Sequence, residues 1–203
     1  MITIIDYKAG NIASIKNMLK KIGVQSIISD KVEDIESADK LILPGVGSFD
    51  HGMQKLKEYR LIDVILKRAN EGVPLLGICL GAQILGYKSE EGQEKGLGLI
   101  DMDIVKFDDA KLPDSYKIPH MGWTDIYIKQ NSPLFKDMYE EPRFYFVHTY
   151  HFKVKKKEEV LTTSNYGYEF VSSVQRNNIY GVQFHPEKSH KFGIKFLENF
   201  VLI

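Results

Sequence analysis

One cysteine and one tryptophan in 203 residues, no surplus of charge and no long apolar run set the first limits on this chain. A single cysteine excludes an internal disulfide and fits a reducing compartment. Lysine plus arginine and aspartate plus glutamate both number 27, so the formal net charge is zero. Nothing electrostatic therefore argues for nucleic acid or an anionic membrane as a partner. No apolar stretch approaches the ~20 residues of a membrane span. Met1-Ile2-Thr3-Ile4-Ile5-Asp6 enters a strand-like run with no basic region ahead of it. The expectation is a cytoplasmic globular protein whose residues 1–203 make one domain around a sizeable core.

What is present is an alternation of strands and helices. Ile2 to Tyr7, Val24 to Ser29, Leu41 to Leu43 and Val73 to Ile78 read as short buried strands. Between the first two, Ile12, Ile15, Leu19 and Ile22 fall on one helical face, with Asn11 as N-cap and Gly23 as stop. Helical patterning returns over Phe49 to Tyr59 and Ile62 to Ala69, and again from Leu80. This order predicts an α/β fold, a doubly wound and mostly parallel central sheet. After about Gly98 short β-rich segments take over: Ile100–Phe107, Thr124–Ile128, Arg143–Val147, Tyr150–Val154, Val160–Thr163, Phe170–Gln175 and Ile179–Phe184. They predict a mixed or antiparallel extension, closed by a helix over Lys191–Val201 that carries Phe192, Phe196 and Phe200 on every fourth residue. The charge run Lys153–Glu159 reads as a solvated hairpin turn.

Chemistry concentrates at strand ends, where ligands bind in such sheets. Gly77-Ile78-Cys79-Leu80-Gly81 has the G-x-nucleophile-x-G spacing of a nucleophile elbow, with sulfur as the nucleophile. The glycines stand where a strand turning sharply into a helix has no room for Cβ. Cys79 is placed at a helix N-terminus that favours a thiolate. Near the C-terminus an apolar strand ends in His185-Pro186-Glu187. In extended backbone held by Pro186, Glu187 lies on the same side as His185 and orients it as a base for the thiol. Pro44-Gly45-Val46-Gly47 offers backbone N–H groups for an oxyanion, as does Leu80 beside the nucleophile. Each signal alone has a plain structural reading: an inert buried thiol, a turn with an exposed ion pair, a glycine turn. The lysine and hydroxyl residue of a phosphate-binding loop are missing, and no cysteine–histidine cluster has metal-ligand spacing, so neither cofactor nor metal is expected.

Taken together, these motifs resemble the class I (triad) glutamine amidotransferases, within them the glutaminase subunits of imidazole glycerol phosphate synthases. Ile5-Asp6-Tyr7-x-Ala9-Gly10-Asn11, Pro119-His120-Met121-Gly122-Trp123 and Tyr145-Phe146-Val147-His148-Thr149-Tyr150 extend the likeness over nearly the whole chain. The resemblance implies a triad of Cys79, His185 and Glu187, and an oxyanion hole from Gly45, Val46, Gly47 and Leu80. It implies that Gln83, Glu91, Thr149 and Tyr150 hold L-glutamine. It further implies that Asn11, Met121, Trp123, Tyr145 and Lys188 face a (β/α)8-barrel cyclase subunit in a heterodimer, which receives the ammonia and makes imidazole glycerol phosphate and a carboxamide ribonucleotide in histidine biosynthesis. Trp123 and Tyr145 also read as core aromatics, and His120 and His148 as structural. Two positions depart from the pattern: Lys8 replaces an expected glycine and Ala82 an expected methionine. They leave open a paralogous partner, one that builds amidino groups on surface-polysaccharide sugars.

Overall fold

The computed structural model describes residues 1–10 and 12–203; the N-cap and partner-face expectations at Asn11 lie outside the described residues. The first half runs β1 (Ile2–Ile5), α1 (Ile12–Lys21), β2 (Ser26–Ser29), α2 (Val32–Glu36), β3 (Lys40–Leu43), α3 (Phe49–Glu58), α4 (Ile62–Asn70), β4 (Leu75–Ile78) and α5 (Leu80–Ile84). The second half is strand-rich: β5 (Lys88–Ser89), β6 (Met102–Lys106), β7 (His120–Asp125), β8 (Tyr127–Ile128), β9 (Arg143–His148) and β10 (Tyr150–Val154). It continues with β11 (Val160–Tyr166), β12 (Tyr168–Arg176), β13 (Ile179–Val182) and α6 (His190–Leu202).

The central sheet has the order β2-β1-β3-β4-β13-β12-β10-β6-β5. Its first five strands are mutually parallel. Antiparallel strands β12, β10 and β6 extend it, so the doubly wound, mixed reading holds. The alternation within each parallel strand explains the layering. Ile5, Leu41, Leu43 and Leu75 point to a core shared with α3 and α4. Their neighbours Ile4, Ile42 and Leu76 point to the other face, covered by α1 and α6. Phe196 and Phe200 of α6 are fully buried there, each contributing about 1.5–3 kcal/mol by leaving water.

Three expectations change. Thr124–Ile128 is not one strand: β7 starts at His120 and forms a separate ribbon with β9, while β8 joins β11 on the main sheet. The chain leaves the ribbon at Ile126, which is buried and donates its N–H to the Pro142 carbonyl. Lys153–Glu159 does not close a hairpin, because β10 and β11 both pair with β12 and not with each other. Nor is the run wholly solvated, since Glu159 is buried and accepts from the Asp101 N–H. Helix α2, absent from the sequence reading, is five residues long and buries only Ile35.

Candidate active site

Cys79 sits between β4 and α5 with φ 54° and ψ −113°. That is backbone a side-chain-bearing residue adopts only under strain. The flanking glycines show what forces it. A Cβ on Gly77 would lie 2.7 Å from the Ala82 Cα, and one on Gly81 would lie 1.8 Å from the Leu43 carbonyl oxygen. The turn is thus wedged against the end of β3. The Cys79 N–H donates to the Val182 carbonyl at 2.8 Å, locking the nucleophile to the neighbouring parallel strand β13.

That strand delivers His185. Its Nδ1–H donates to Glu187 Oε1 at 2.8 Å, and both side chains are buried. The pairing was expected, but its geometry is different. Pro186–Lys188 form a 3-10 turn, and only His185 (φ −103°, ψ 94°) stays extended. Proline suits this, because its fixed φ fits the first position of the turn while restricting the residue before it. The His185 N–H donates to the Tyr145 carbonyl and its own carbonyl accepts from Ser189 Oγ, so the loop is tied to β9. The other ring nitrogen, Nε2, is buried and unpartnered among the described residues. Burial disfavours the imidazolium, but the Cys79 sulfur and the Glu187 carboxylate outweigh it, and the histidine is pushed up to about 10.

The sulfur opens on a cavity of about 250 Å³ lined by Val46, Gly47, Cys79, Leu80, Gln83, Glu91, Pro119, Met121, Val147, His148, Thr149 and Tyr150. All four residues expected to hold substrate are on this wall. So are Val46, Gly47 and Leu80 of the expected oxyanion hole. Gly45 is not; it lies beneath, where a Cβ would be 2.2 Å from Tyr7 Oη. Among the described residues the Tyr7 hydroxyl is buried without a partner, and burial, helped by nearby Cys79, holds it protonated well above its usual range. The Val46 N–H already donates to the Ala9 carbonyl at 3.0 Å, so in this conformation it does not point to an oxyanion. Glu91 has a second task, accepting from the Phe49 N–H at the start of α3.

Two features escaped the sequence reading. Gln183, fully buried, donates to the Cys79 sulfur at 3.7 Å and accepts from Gln83 at 3.0 Å. Its signal was a polar residue between Val182 and Phe184 in an otherwise apolar strand end. His148 and His120 form a buried pair at 2.9 Å, ending on the Tyr150 carbonyl (2.8 Å) and on Thr124 Oγ1 (2.8 Å). Burial pushes His120 down to about 4 and His148 well below its usual range, so both are neutral. Among the described residues no group of three or more histidine, cysteine, aspartate or glutamate side chains is placed to hold a metal, and no helix is long and apolar enough to cross a membrane.

Against known proteins, residues 3–203 match the family model of the class-I glutamine amidotransferases. The chain belongs to that family. It is 50% identical to the imidazole glycerol phosphate synthase subunit HisH 2 of Pseudomonas aeruginosa, over 99% of this chain and 98% of that one. It is 54% identical to HisH 2 of Methanococcus maripaludis over the same shares, and 45% identical to HisH 1 of that organism over 99% and 98%. The fold likeness extends to a crystal structure of a glutamine amidotransferase at a TM-score of 0.75 and 21% identity, covering 98% of both chains.

In this glutamine amidotransferase the ribbon β7–β9 carries an aromatic face beside the cavity. Met121 is 61% and Trp123 42% exposed, which overturns the core reading of Trp123. Trp123 pairs across the ribbon with half-buried Tyr145 and stacks on His190 at 5.4 Å. Lys188 Nζ lies 5.6 Å over the Tyr145 ring. Lys8 has φ 62°, the region that favours the glycine expected there, and is held by ion pairs to Asp6 and Asp30. Ala82 is fully buried against the sheet.

Proposed function

We propose that residues 1–203 form a single glutaminase domain, the glutamine-hydrolysing subunit of an imidazole glycerol phosphate synthase. The observation that carries this is one cavity that gathers Cys79 and all four residues expected to bind glutamine, with the buried His185–Glu187 pair beside the sulfur. Cys79 as thiolate attacks the side-chain carbonyl carbon of L-glutamine. The oxyanion is met by the Leu80 N–H at the start of α5 and by the Val46 or Gly47 N–H once the loop leaves Ala9. Protonated His185 gives its proton to the departing nitrogen, which leaves as ammonia, and a glutamyl thioester remains. His185, now neutral and held by Glu187, takes a proton from water, which attacks the thioester; glutamate leaves and the thiolate returns.

The ammonia passes to a synthase subunit, a (β/α)8-barrel cyclase of the histidine pathway, docked as a heterodimer on the face bearing Met121, Trp123, Tyr145 and Lys188. Cytoplasm is the compartment that suits this reading. The engaged Val46 N–H supports a subunit that is slow until its partner resets the loop. The test is glutamate release from glutamine with and without the cyclase. The expected result is strong stimulation, abolished by Cys79→Ala; activity surviving Cys79→Ala overturns the mechanism.

A second reading keeps the glutaminase chemistry and changes the partner to a paralogous synthase that makes amidino sugars for surface polysaccharides. The observation behind it is Lys8, which stands exposed where the resemblance leads one to expect glycine. Stimulation by one synthase and not the other decides between them.

A further inference from the structure

The triad is not the only group on the nucleophile. The Gln183 carboxamide bridges the sulfur and Gln83, and which of its ends faces the sulfur follows from the groups around it. The fixed point is the Tyr150 carbonyl, which only accepts. Gln83 Nε2 lies 3.4 Å from that oxygen, so Gln83 presents its NH2 there. The same NH2 meets Gln183 at 3.0 Å, so Gln183 presents its oxygen to Gln83. Its own NH2 is thereby turned to the sulfur, 3.7 Å away.

The carbonyl itself is held. His148 donates from Nδ1 to it, which leaves His148 Nε2 as an acceptor for His120 Nδ1–H; His120 Nε2 in turn accepts from Thr124. Each tautomer follows from the one before, back to a backbone oxygen. The orientation of Gln183 is therefore enforced by a chain of hydrogen bonds, and every one of its links is at least part-buried.

We propose that Gln183 is a positioning residue for the nucleophile: its amide N–H holds the Cys79 sulfur towards the cavity and stabilises it as thiolate, with Gln83 fixing the amide. Its effect on turnover rests on the glutaminase reading; its effect on the thiol does not. A neutral donor suits this place, because it favours the thiolate without competing with His185 for the proton.

The titratable groups around the sulfur are His185 after β13, Tyr7 after β1, and His148 and Glu91 on the cavity wall.

The test uses the full chain and its sole cysteine. Iodoacetamide labelling of Cys79 is followed by intact mass from pH 5 to pH 10 for the wild type, Gln183→Met and Gln183→Glu. A hydrogen bond to a charged group corresponds to about tenfold to a hundredfold in equilibrium. Gln183→Met is expected to label about tenfold or more slowly at low pH, with the deficit closing as the thiol ionises. Gln183→Glu, which sets a carboxylate against the sulfur, is expected to shift further in the same direction. With the partner present, kcat for glutamine falls while KM stays within about threefold, the pattern of a lost contact to the reacting atom. An unmoved labelling profile, or a deficit equal at every pH, overturns the proposal. Should neither variant fold, the side-chain 15N resonance of Gln183 in the wild type decides: it must titrate with Cys79, and a flat response overturns the proposal. Absence of glutamate release by the wild type with its partner would sink the glutaminase reading instead, and leaves the labelling result standing.

Discussion

The strained backbone at Cys79 can be weighed by replacing cysteine with alanine and with glycine. At φ 54° and ψ −113° a residue with a Cβ carries about 1–3 kcal/mol of strain that glycine does not. Against that relief, glycine gives up about 0.5–1 kcal/mol through the freedom of its unfolded chain, and about 0.8 kcal/mol through the loss of one buried carbon. With strain near the middle of its range these nearly cancel, leaving Cys79→Gly about as stable as Cys79→Ala, or slightly more so. Three residues on, the same exchange has no strain to relieve. Ala82 is fully buried in α5, so Ala82→Gly loses its methyl and its helix preference and is expected to cost about 2 kcal/mol. Urea unfolding with matched slopes measures both differences, and in a chain of this size about 2 kcal/mol corresponds to roughly 4–8 °C in Tm. If Cys79→Gly falls below Cys79→Ala by the same amount as Ala82→Gly falls below wild type, the elbow holds no strain and the account of its geometry is wrong.

Gly81→Ala places a Cβ 1.8 Å from the Leu43 carbonyl oxygen, where only backbone movement relieves the clash; a loss of about 3 kcal/mol or more in urea is expected, and a loss below about 1 kcal/mol refutes the wedge. Acid is expected to weaken the fold from pH 6.5 downwards, since His120 and His148 are neutral when folded and take protons on unfolding. The stability they contribute is complete above pH 6.5 and falls towards pH 4; the His120 step alone is worth about 3 kcal/mol. Alkali acts in the opposite sense on His185, whose folded value near 10 lies above its ordinary 6.5. Its contribution is complete below pH 6.5 and lost as pH rises to about 10. Urea titrations across pH 4–10 are expected to peak near neutrality, and Cys79→Ala to shrink the alkaline loss.

The parallel half was readable because β1, β3 and β4 are buried on both faces and appear as short apolar runs, two of them ending in glycine-bearing motifs at Pro44-Gly45-Val46-Gly47 and around Cys79. The elbow was readable for a related reason: Gly77 and Gly81 are the only solution where Cβ atoms would strike Ala82 and Leu43. The ribbon was harder. Its strand β7 turns Met121 and Trp123 outward, so hydropathy ran against its true facing. Gln183 stood in plain view, but its partners lie 100 and 104 residues away, and no local pattern points to them. The His185–Glu187 pair came from the right residues through the wrong backbone, because proline serves an extended segment and the first position of a 3-10 turn equally well.

One consequence lies in how β4 and β13 are paired. Ile78 stands opposite Val182, so Cys79, Gln183 and His185 emerge side by side from two strands held in one offset by their main-chain ladder. A slip of one residue in β13 would turn Gln183 and His185 to the face away from Cys79. The ribbon β7–β9, by contrast, forms a separate sheet and meets this pair where the His185 N–H donates to the Tyr145 carbonyl. That contact is main-chain and carries no side-chain identity, so an exposed residue such as Trp123 can change while the offset that aligns Cys79, Gln183 and His185 stays fixed.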